Sequence, residues 1–397
     1  MITVEEAQAR VIASVSVLPA ETVNLTDAAG RVLADSILAR RTQPPLAVSA
    51  MDGYAVRAED IVSVPVTLRQ VGAVAAGGMY EGIIQPGECT RLFTGAPLPC
   101  GADTVVIQED TSVDGDQITM TASEPLGRHV RKAGLDFADG DARLSAGTYL
   151  SPRKLALAAA MNHPWLKVIR RPRVAILATG DEIVFPGEPI GQSQIVASTS
   201  TSLAGFVRDH GGEPILLGVA HDTIESLREA AVAARDADVL VTIGGASVGE
   251  HDLVQTALKQ EGLEVDFWKI AMRPGKPLMV GKLDGTQVLG LPGNPVSSLV
   301  CAVLFLRPLL YALQGRAGGI PSPVMMQAGA DLPANGVRQD YMRARFDGEG
   351  NAVPFSVQDS SMLTALADSD ALIIRPPNAP PVAKGGRIPV VPLDGLL

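Results

Sequence analysis

Acidic residues that follow short apolar runs, a glycine-rich turn and a stiff cationic loop are the parts of this sequence equipped to do chemistry. Asp181 and Glu182 follow the run Val174 to Thr179, Asp222 follows Ile215 to Val219, and Asp252 closes the stretch DVLVTIGGASVGEHD that starts at Asp238. Within that stretch Gly244, Gly245 and Gly249 can take positive φ and bring backbone N–H groups close to an anion. A tight turn that needs small residues accounts for the same glycines. Several carboxylates near a phosphate site suggest Mg2+, a hard cation that keeps water and phosphate partners. As single residues, Glu182 and Asp252 read equally as helix caps or first-turn acids. In Met272-Arg273-Pro274-Gly275-Lys276-Pro277, two cations three residues apart are held by two prolines and a glycine, a stiff loop that could clasp an oxyanion; a pair of surface cations without a ligand is the simpler explanation. Further upstream, Asp52 sits beside Gly53 in a loop and Thr94 offers a hydroxyl in Phe93-Thr94-Gly95-Ala96-Pro97. An Asx-type turn at Asp52-Gly53 and a plain turn at Thr94 are the simpler explanations of these two.

Several chemistries are excluded. Gly245-Ala246-Ser247-Val248-Gly249 satisfies the G-x-S-x-G elbow, but hydrolases of that kind place the acid and then a histidine after the serine. Here no histidine follows His251, only four residues from Ser247. GxxxxGK[ST], GxGxxG and HExxH are all missing. Cys89, Cys100 and Cys301 have no CxxC spacing, so neither a disulfide framework nor a zinc site is expected.

The elements that must position these residues are legible from periodicity. Thr3 and Glu6 form a capping-box pattern ahead of Val4, Ala7, Val11 and Ile12, so the chain opens with an amphipathic helix. Short β-rich runs, Val64 to Val71, Glu88 to Phe93 and Thr104 to Gln108, predict a small all-β domain. SPRKLALAAAMN from Ser151 is a helix with Pro in its first turn. From Val174 onward strands alternate with helices: Ser200 to His210, Ile215 to Val219, Thr223 to Arg235, Val239 to Ile243 and Asp252 to Glu261. That order predicts right-handed βαβ units and a parallel sheet, whose strand ends converge on one edge. Short strands near Val265 to Phe267, Met279 to Val280 and Val288 to Leu291 lead to PGNP and a long apolar helix, Val296 to Leu313. Its most apolar part, Leu299 to Leu306, reads as stopped by Arg307 and too short to span a bilayer. After a Gly/Pro-rich linker at Gly315 to Pro323, the rest predicts a small mixed domain with a largely β core.

At 397 residues the chain should hold several domains. Hydrophobic residues at 46% and charged residues at 19% describe a globular chain. A net charge of −10 and only 4% aromatics argue against phosphate-backbone binding and base stacking, and against anionic membranes. No basic-then-apolar leader opens the sequence, which points to the cytoplasm.

Taken together, SAMDGYAV (Ser49 to Val56), FTGAPLPCGADTVVIQE (Phe93 to Glu109), ATGDE (Ala178 to Glu182), GGASVGEHD (Gly244 to Asp252), MRPGKP (Met272 to Pro277) and GLPGNPVS (Gly290 to Ser297) resemble the MoeA family. These are the molybdopterin molybdenumtransferases, which include the E domains of plant and animal molybdenum-cofactor proteins such as gephyrin. The resemblance implies a multidomain α/β plus β fold. Its parts would be a discontinuous helical, dimerising domain (residues 1–50 and 137–170), a small β domain (51–136), a central parallel-sheet α/β domain (171–316) and a C-terminal β-rich domain (320–397). It implies insertion of molybdate into the dithiolene of adenylylated molybdopterin, with release of AMP and help from Mg2+. Carried over by motif, Asp52 and Thr94 would come from the neighbouring subunit of a homodimer. Glu182, Asp222 and Asp252 would complete the catalytic set, with Glu182 and Asp252 as metal ligands. Gly244, Gly245, Ser247, Gly249, Pro292, Asn294, Pro295 and Ser297 would bind the pterin and its phosphates. Arg273, Lys276, Pro277, Arg343 and Ser360 would hold molybdate. Molybdopterin adenylyltransferase and recipient molybdoenzymes would be further partners. The family commonly shows an Asp-Ser/Thr-Asn set where residues 195–199 here read IVAST, so Ala197 and Thr199 stand in place of an acid and an amide. That departure keeps open an alternative, a catalytically inactive scaffold or cofactor carrier.

Overall fold

The computed structural model describes residues 1–245 and 253–397. The chain divides into two compact units, one of Met1–Glu21, Gly30–Ala34 and Lys167–Leu397, the other of Thr22–Ala29 and Asp35–Leu166. In the latter, the expected β-rich runs form a six-stranded sheet with the order Thr104–Ile107, Gly53–Val56, Glu88–Leu92, Val66–Val74, Gln117–Met120, Thr111–Asp114. Tyr54, Val56, Leu68, Val106, Ile118 and Met120 turn inward to make its core. The helix Pro152–Ala160 starts with its proline in the first turn, where a missing N–H costs nothing.

The larger unit is built on a second six-stranded sheet, in the order Glu213–Ala220, Arg173–Thr179, Val239–Ile243, Thr286–Leu291, Met279–Leu283, Leu263–Trp268. The first four strands are parallel, as expected, with Ile176 opposite Val241 and Val241 opposite Leu289. Every residue of Val239–Ile243 is buried, because helices cover both faces of the sheet. Val239, Val241 and Ile243 pack with Leu203, Phe206 and Phe305 on one face. Leu240 packs with Leu227, Ala231 and Leu258 on the other. The last two strands depart from the parallel expectation and run antiparallel. For Met279–Leu283 against Thr286–Leu291 the reason is local: Asp284 (φ 49°) and Gly285 (φ 91°) form a two-residue hairpin loop with both residues at positive φ, which returns the chain at once and leaves no room for a crossover helix.

Two helices brace this unit. In Val4–Ala13 the Thr3 hydroxyl accepts the Glu6 N–H at 3.1 Å, half of the expected capping box, and Val4, Ala7 and Val11 enter the sheet's core. The run Leu299 to Leu306 does not end at Arg307. The helix continues from Pro295 to Leu313 through a π-turn at Ala302–Leu306. Pro308 has no N–H for the Leu304 carbonyl four residues back, and the Gln8 side chain donates to that carbonyl instead, at 3.0 Å. By length and mean hydropathy (2.0) this helix could cross a membrane, but 89% of it is buried within the protein, so its apolar character serves the core.

The C-terminal segment forms a third six-stranded sheet from Gln339–Phe346, Ala371–Arg375, Arg387–Pro392, Val324–Gln327 and Ala352–Pro354, with the short helix Leu363–Ala367. Its remaining strand is Met272–Arg273, from the cationic loop, which pairs in parallel with Gln339–Phe346.

Candidate active site

The four parallel strands all end at one edge, and the loops that follow them enclose a cavity of about 760 Å3. Its lining includes the turns at Thr179-Gly180, Gly244-Gly245 and Pro292-Gly293-Asn294. It also includes Ser198, Leu253 and Pro295, the first residues of the helices Ser198–Asp209, Leu253–Gln260 and the long core helix. The first described residues of three helices therefore line one cavity, and the dipoles of such helix ends favour an anion there. Gly245 is fixed by sterics: at φ 65° a Cβ would lie 2.1 Å from Val254 Cγ2.

The PGNP turn is closed by the Ser298 hydroxyl, which bonds to the Pro292 carbonyl and reaches the Asn294 carbonyl at 3.2 Å. Asn294 Nδ2 then donates to Ser360 Oγ at 2.8 Å, and the Val296 N–H donates to the Ser360 carbonyl at 3.2 Å. Ser360 thus ties the C-terminal sheet's 355–361 loop to the cavity's floor, and Ser361 lines the cavity itself.

Glu182 and Asp222 both face the cavity. Asp181 stands outside it, 3.0 Å from His221 Nδ1 and accepting the Asp222 N–H at 3.3 Å; these bonds hold its carboxyl below the usual range. Desolvation, reinforced by repulsion from Asp181 and Glu182, pushes the Asp222 carboxyl up. The acidic rim carries surplus negative charge that a divalent cation would relieve, and oxygen donors of this kind suit Mg2+. Among the described residues no group of three or more His, Cys, Asp or Glu is placed to hold a metal ion. Any such ion would therefore need further oxygens, from water, a ligand's phosphates or Asp252.

The cationic loop behaves differently. At Gly275 (φ 104°) a Cβ would lie 2.6 Å from Cys301 Sγ, so the loop is pressed onto the core helix. Arg273 forms an ion pair with Asp340. Arg343 is 2% exposed: its Nη1 donates to the Asp359 carbonyl at 2.6 Å and its Nε to Gln358 Oε1 at 3.3 Å, while burial lowers its pKa. Its bonds hold the loop that carries Ser360.

Of the expected site residues, Glu182, Asp222, Gly244, Gly245, Pro277, Pro292, Asn294 and Pro295 line the cavity. Arg273, Lys276, Arg343 and Ser360 do not; Ser297 is buried in the first turn of the core helix. Ser247, Gly249 and Asp252 lie outside the described residues. Ala197 and Thr199 both line the cavity: Ala197 starts its helix without a side-chain cap, and Thr199 is buried. In the smaller unit, Asp52 Oδ1 accepts from the Thr94 N–H at 2.7 Å and from the Thr94 hydroxyl at 2.8 Å. Those two bonds, the backbone one foremost, hold the Asp52 carboxyl below its ordinary value. Neither residue is thus serving only its own turn. Thr179, Ser298, Asp340 and Ser361 were not expected. Ser298 and Ser361 each follow a residue that was, Thr179 lies inside the ATGDE stretch, and nothing in the spacing marks Asp340.

Family models match along most of the chain. The MoeA N-terminal region (domain I and II) matches residues 2–162, a probable molybdopterin binding domain matches 175–312, and the MoeA C-terminal region (domain IV) matches 326–393. The molybdopterin molybdenumtransferase of Nostoc sp. (strain PCC 7120 / SAG 25.82 / UTEX 2576) is 36% identical over 386 residues, covering 94% of this chain and 88% of that protein. The protein of the same name from Haemophilus influenzae is 32% identical over 406 residues and covers 100% of both. The solved molybdopterin biosynthesis moeA protein from Pyrococcus horikoshii OT3 superposes with a TM-score of 0.85 at 26% identity, covering 99% of this chain and 100% of that one.

Proposed function

The chain belongs to the MoeA family, and from that premise we propose that it is a molybdopterin molybdenumtransferase, acting in molybdenum cofactor biosynthesis. It inserts molybdate into the dithiolene of adenylylated molybdopterin and releases AMP. One observation carries this reading: a single cavity joins three helix N-termini, two carboxylates without an ion-pair partner among the described residues, and the proline that ends the cationic loop. Molybdate and a phosphate-linked pterin are both anionic and suit helix N-termini, while the carboxylates would meet them through a bridging divalent cation. The Gly244-Gly245 turn, with Ser247 and Gly249, and the Pro292 to Ser297 segment take the pterin and its phosphates. Arg273 and Lys276 take molybdate, with Pro277 setting the end of their loop, Ser360 supplying a hydroxyl, and Arg343 supporting that serine from beneath.

Mg2+ would be held by Glu182 and Asp252 together with substrate oxygens, where it would neutralise charge on the phosphates. Asp222 adds negative charge to that rim. In this reading the protein works as a homodimer in the cytoplasm, with Asp52 and Thr94 contributed by the neighbouring subunit, and without membrane or nucleic acid. It receives its pterin from a molybdopterin adenylyltransferase and passes its product to recipient molybdoenzymes. The inactive-scaffold alternative finds no support in full-length relatives that carry the transferase name.

The test is a defined mixture of protein, adenylylated molybdopterin, Mg2+ and molybdate. AMP release together with cofactor that reconstitutes an apo molybdoenzyme is expected, and absence of both would refute the reading. Light scattering at micromolar concentration should give a dimer mass.

A further inference from the structure

The register of the C-terminal sheet sets Arg273 directly opposite Asp340 and Asp340 directly opposite Arg375, in three adjacent strands. Residues directly opposite in adjacent strands project from the same face, so the sheet carries a row of cation, carboxylate, cation. The two ends of the row are differently occupied. Arg375 is 4% exposed and spends Nη2 on the carbonyls of Pro333 and Pro380. The Arg273 side chain is 59% exposed and its one ion-pair partner among the described residues is Asp340, whose own side chain is 6% exposed. Burial raises the Asp340 carboxyl above the usual carboxylate value against the pull of Arg273, Arg338 and Arg375.

A guanidinium has five N–H donors in a rigid fork, and one carboxylate does not exhaust them. Pairing through Nη2 fixes the plane of the Arg273 fork and leaves its other donors for an oxyanion. We propose that Asp340 is a positioning residue for the molybdate step: it holds the Arg273 guanidinium in place, and through it sets the affinity of the cationic loop for a tetrahedral oxyanion. This rests on the reading of Arg273 as a molybdate ligand. It gives the C-terminal sheet a defined part in the reaction, since the strand that bears Asp340 also anchors the loop's first two residues.

The experiment compares Asp340→Asn, Arg273→Ala and the double variant in molybdate-dependent AMP release, with kcat and the KM for molybdate measured separately. Asp340→Asn should raise KM about tenfold, the scale of one charge-assisted hydrogen bond, with kcat nearly unchanged. In the Arg273→Ala background Asp340→Asn should add nothing, because its effect passes through that guanidinium. If Arg273→Ala raises KM while Asp340→Asn does not, or if the two effects multiply, the positioning role is overturned. If Arg273→Ala leaves KM unchanged, the ligand reading of the loop fails first and takes this proposal with it. Asp340→Glu, which keeps the charge but moves it by a methylene, serves if the Asn variant does not fold; an unaltered KM there would also overturn the role.

Discussion

Glu182 and Asp222 face the cavity with no cation paired to them among the described residues, whereas Arg273 and Arg343, the cations expected to serve the same site, are already bonded within the C-terminal sheet and its loop. The acidic rim is held in an electrostatically unfavourable state, with one carboxyl pushed up by burial and by its neighbours. The cationic side is partly committed before any ligand arrives: Arg343 is spent on internal bonds, while Arg273 keeps donors beyond its pair with Asp340. Carboxylates with no ion-pair partner among the described residues and cations partly or wholly spent on internal bonds are thus distinguished, and residue type alone does not say which is which. Mutations should divide accordingly: into losses of turnover on the acidic rim, losses of molybdate affinity at the cationic loop, and loss of stability at Arg343, whose bonds are internal.

Arg343→Ala should have the largest effect on stability. It removes a buried guanidinium whose hydrogen bonds fix the Ser360 loop, at a cost of roughly 3 kcal/mol. Urea unfolding measures this, and an unchanged midpoint with weakened molybdate binding would move Arg343 to the ligand side of the comparison. Gly245→Ala is next, about 1–3 kcal/mol, because the residue would be strained at positive φ and driven into Val254. Glu182→Gln should change stability by less than about 0.5 kcal/mol while lowering turnover about a hundredfold. A large fall in melting temperature instead would make Glu182 structural.

The smallest expected effect is in the smaller unit. Asp52 has a depressed pKa in the folded state, so its bonds to Thr94 contribute stability above the ordinary aspartate range, and that contribution is lost as pH falls through the depressed value. Asp52→Asn should therefore melt slightly lower than the parent at neutral pH, with the gap closing on acidification. A gap that stays constant with pH would show that the charge of Asp52 plays no part.

Val239–Ile243 is legible in the sequence to the residue, because burial on both faces leaves an unbroken β-branched run. The Thr3 N-cap, half of the expected capping box, and the PGNP helix start are legible because the physical cause is local. The Asp284-Gly285 hairpin was also written locally, yet it competes with the alternation of strands and helices, which alone predicts further crossovers. What stays illegible is long-range. Asp52 and Thr94 are 42 positions apart and meet because their strands, Gly53–Val56 and Glu88–Leu92, are neighbours in one sheet. Arg343 is buried although its residue type is mostly exposed, and Asp340 acquires its place only through sheet register.

The division between the two sides is tested most directly by molybdate titration of AMP release in Lys276→Ala and Glu182→Gln. Lys276→Ala should recover most of its turnover at saturating molybdate, because it loses affinity for one substrate. Glu182→Gln should stay slow at every molybdate concentration, because its defect lies on the acidic rim. If Glu182→Gln is rescued by molybdate, or Lys276→Ala is not, the two sides do not divide the work in this way.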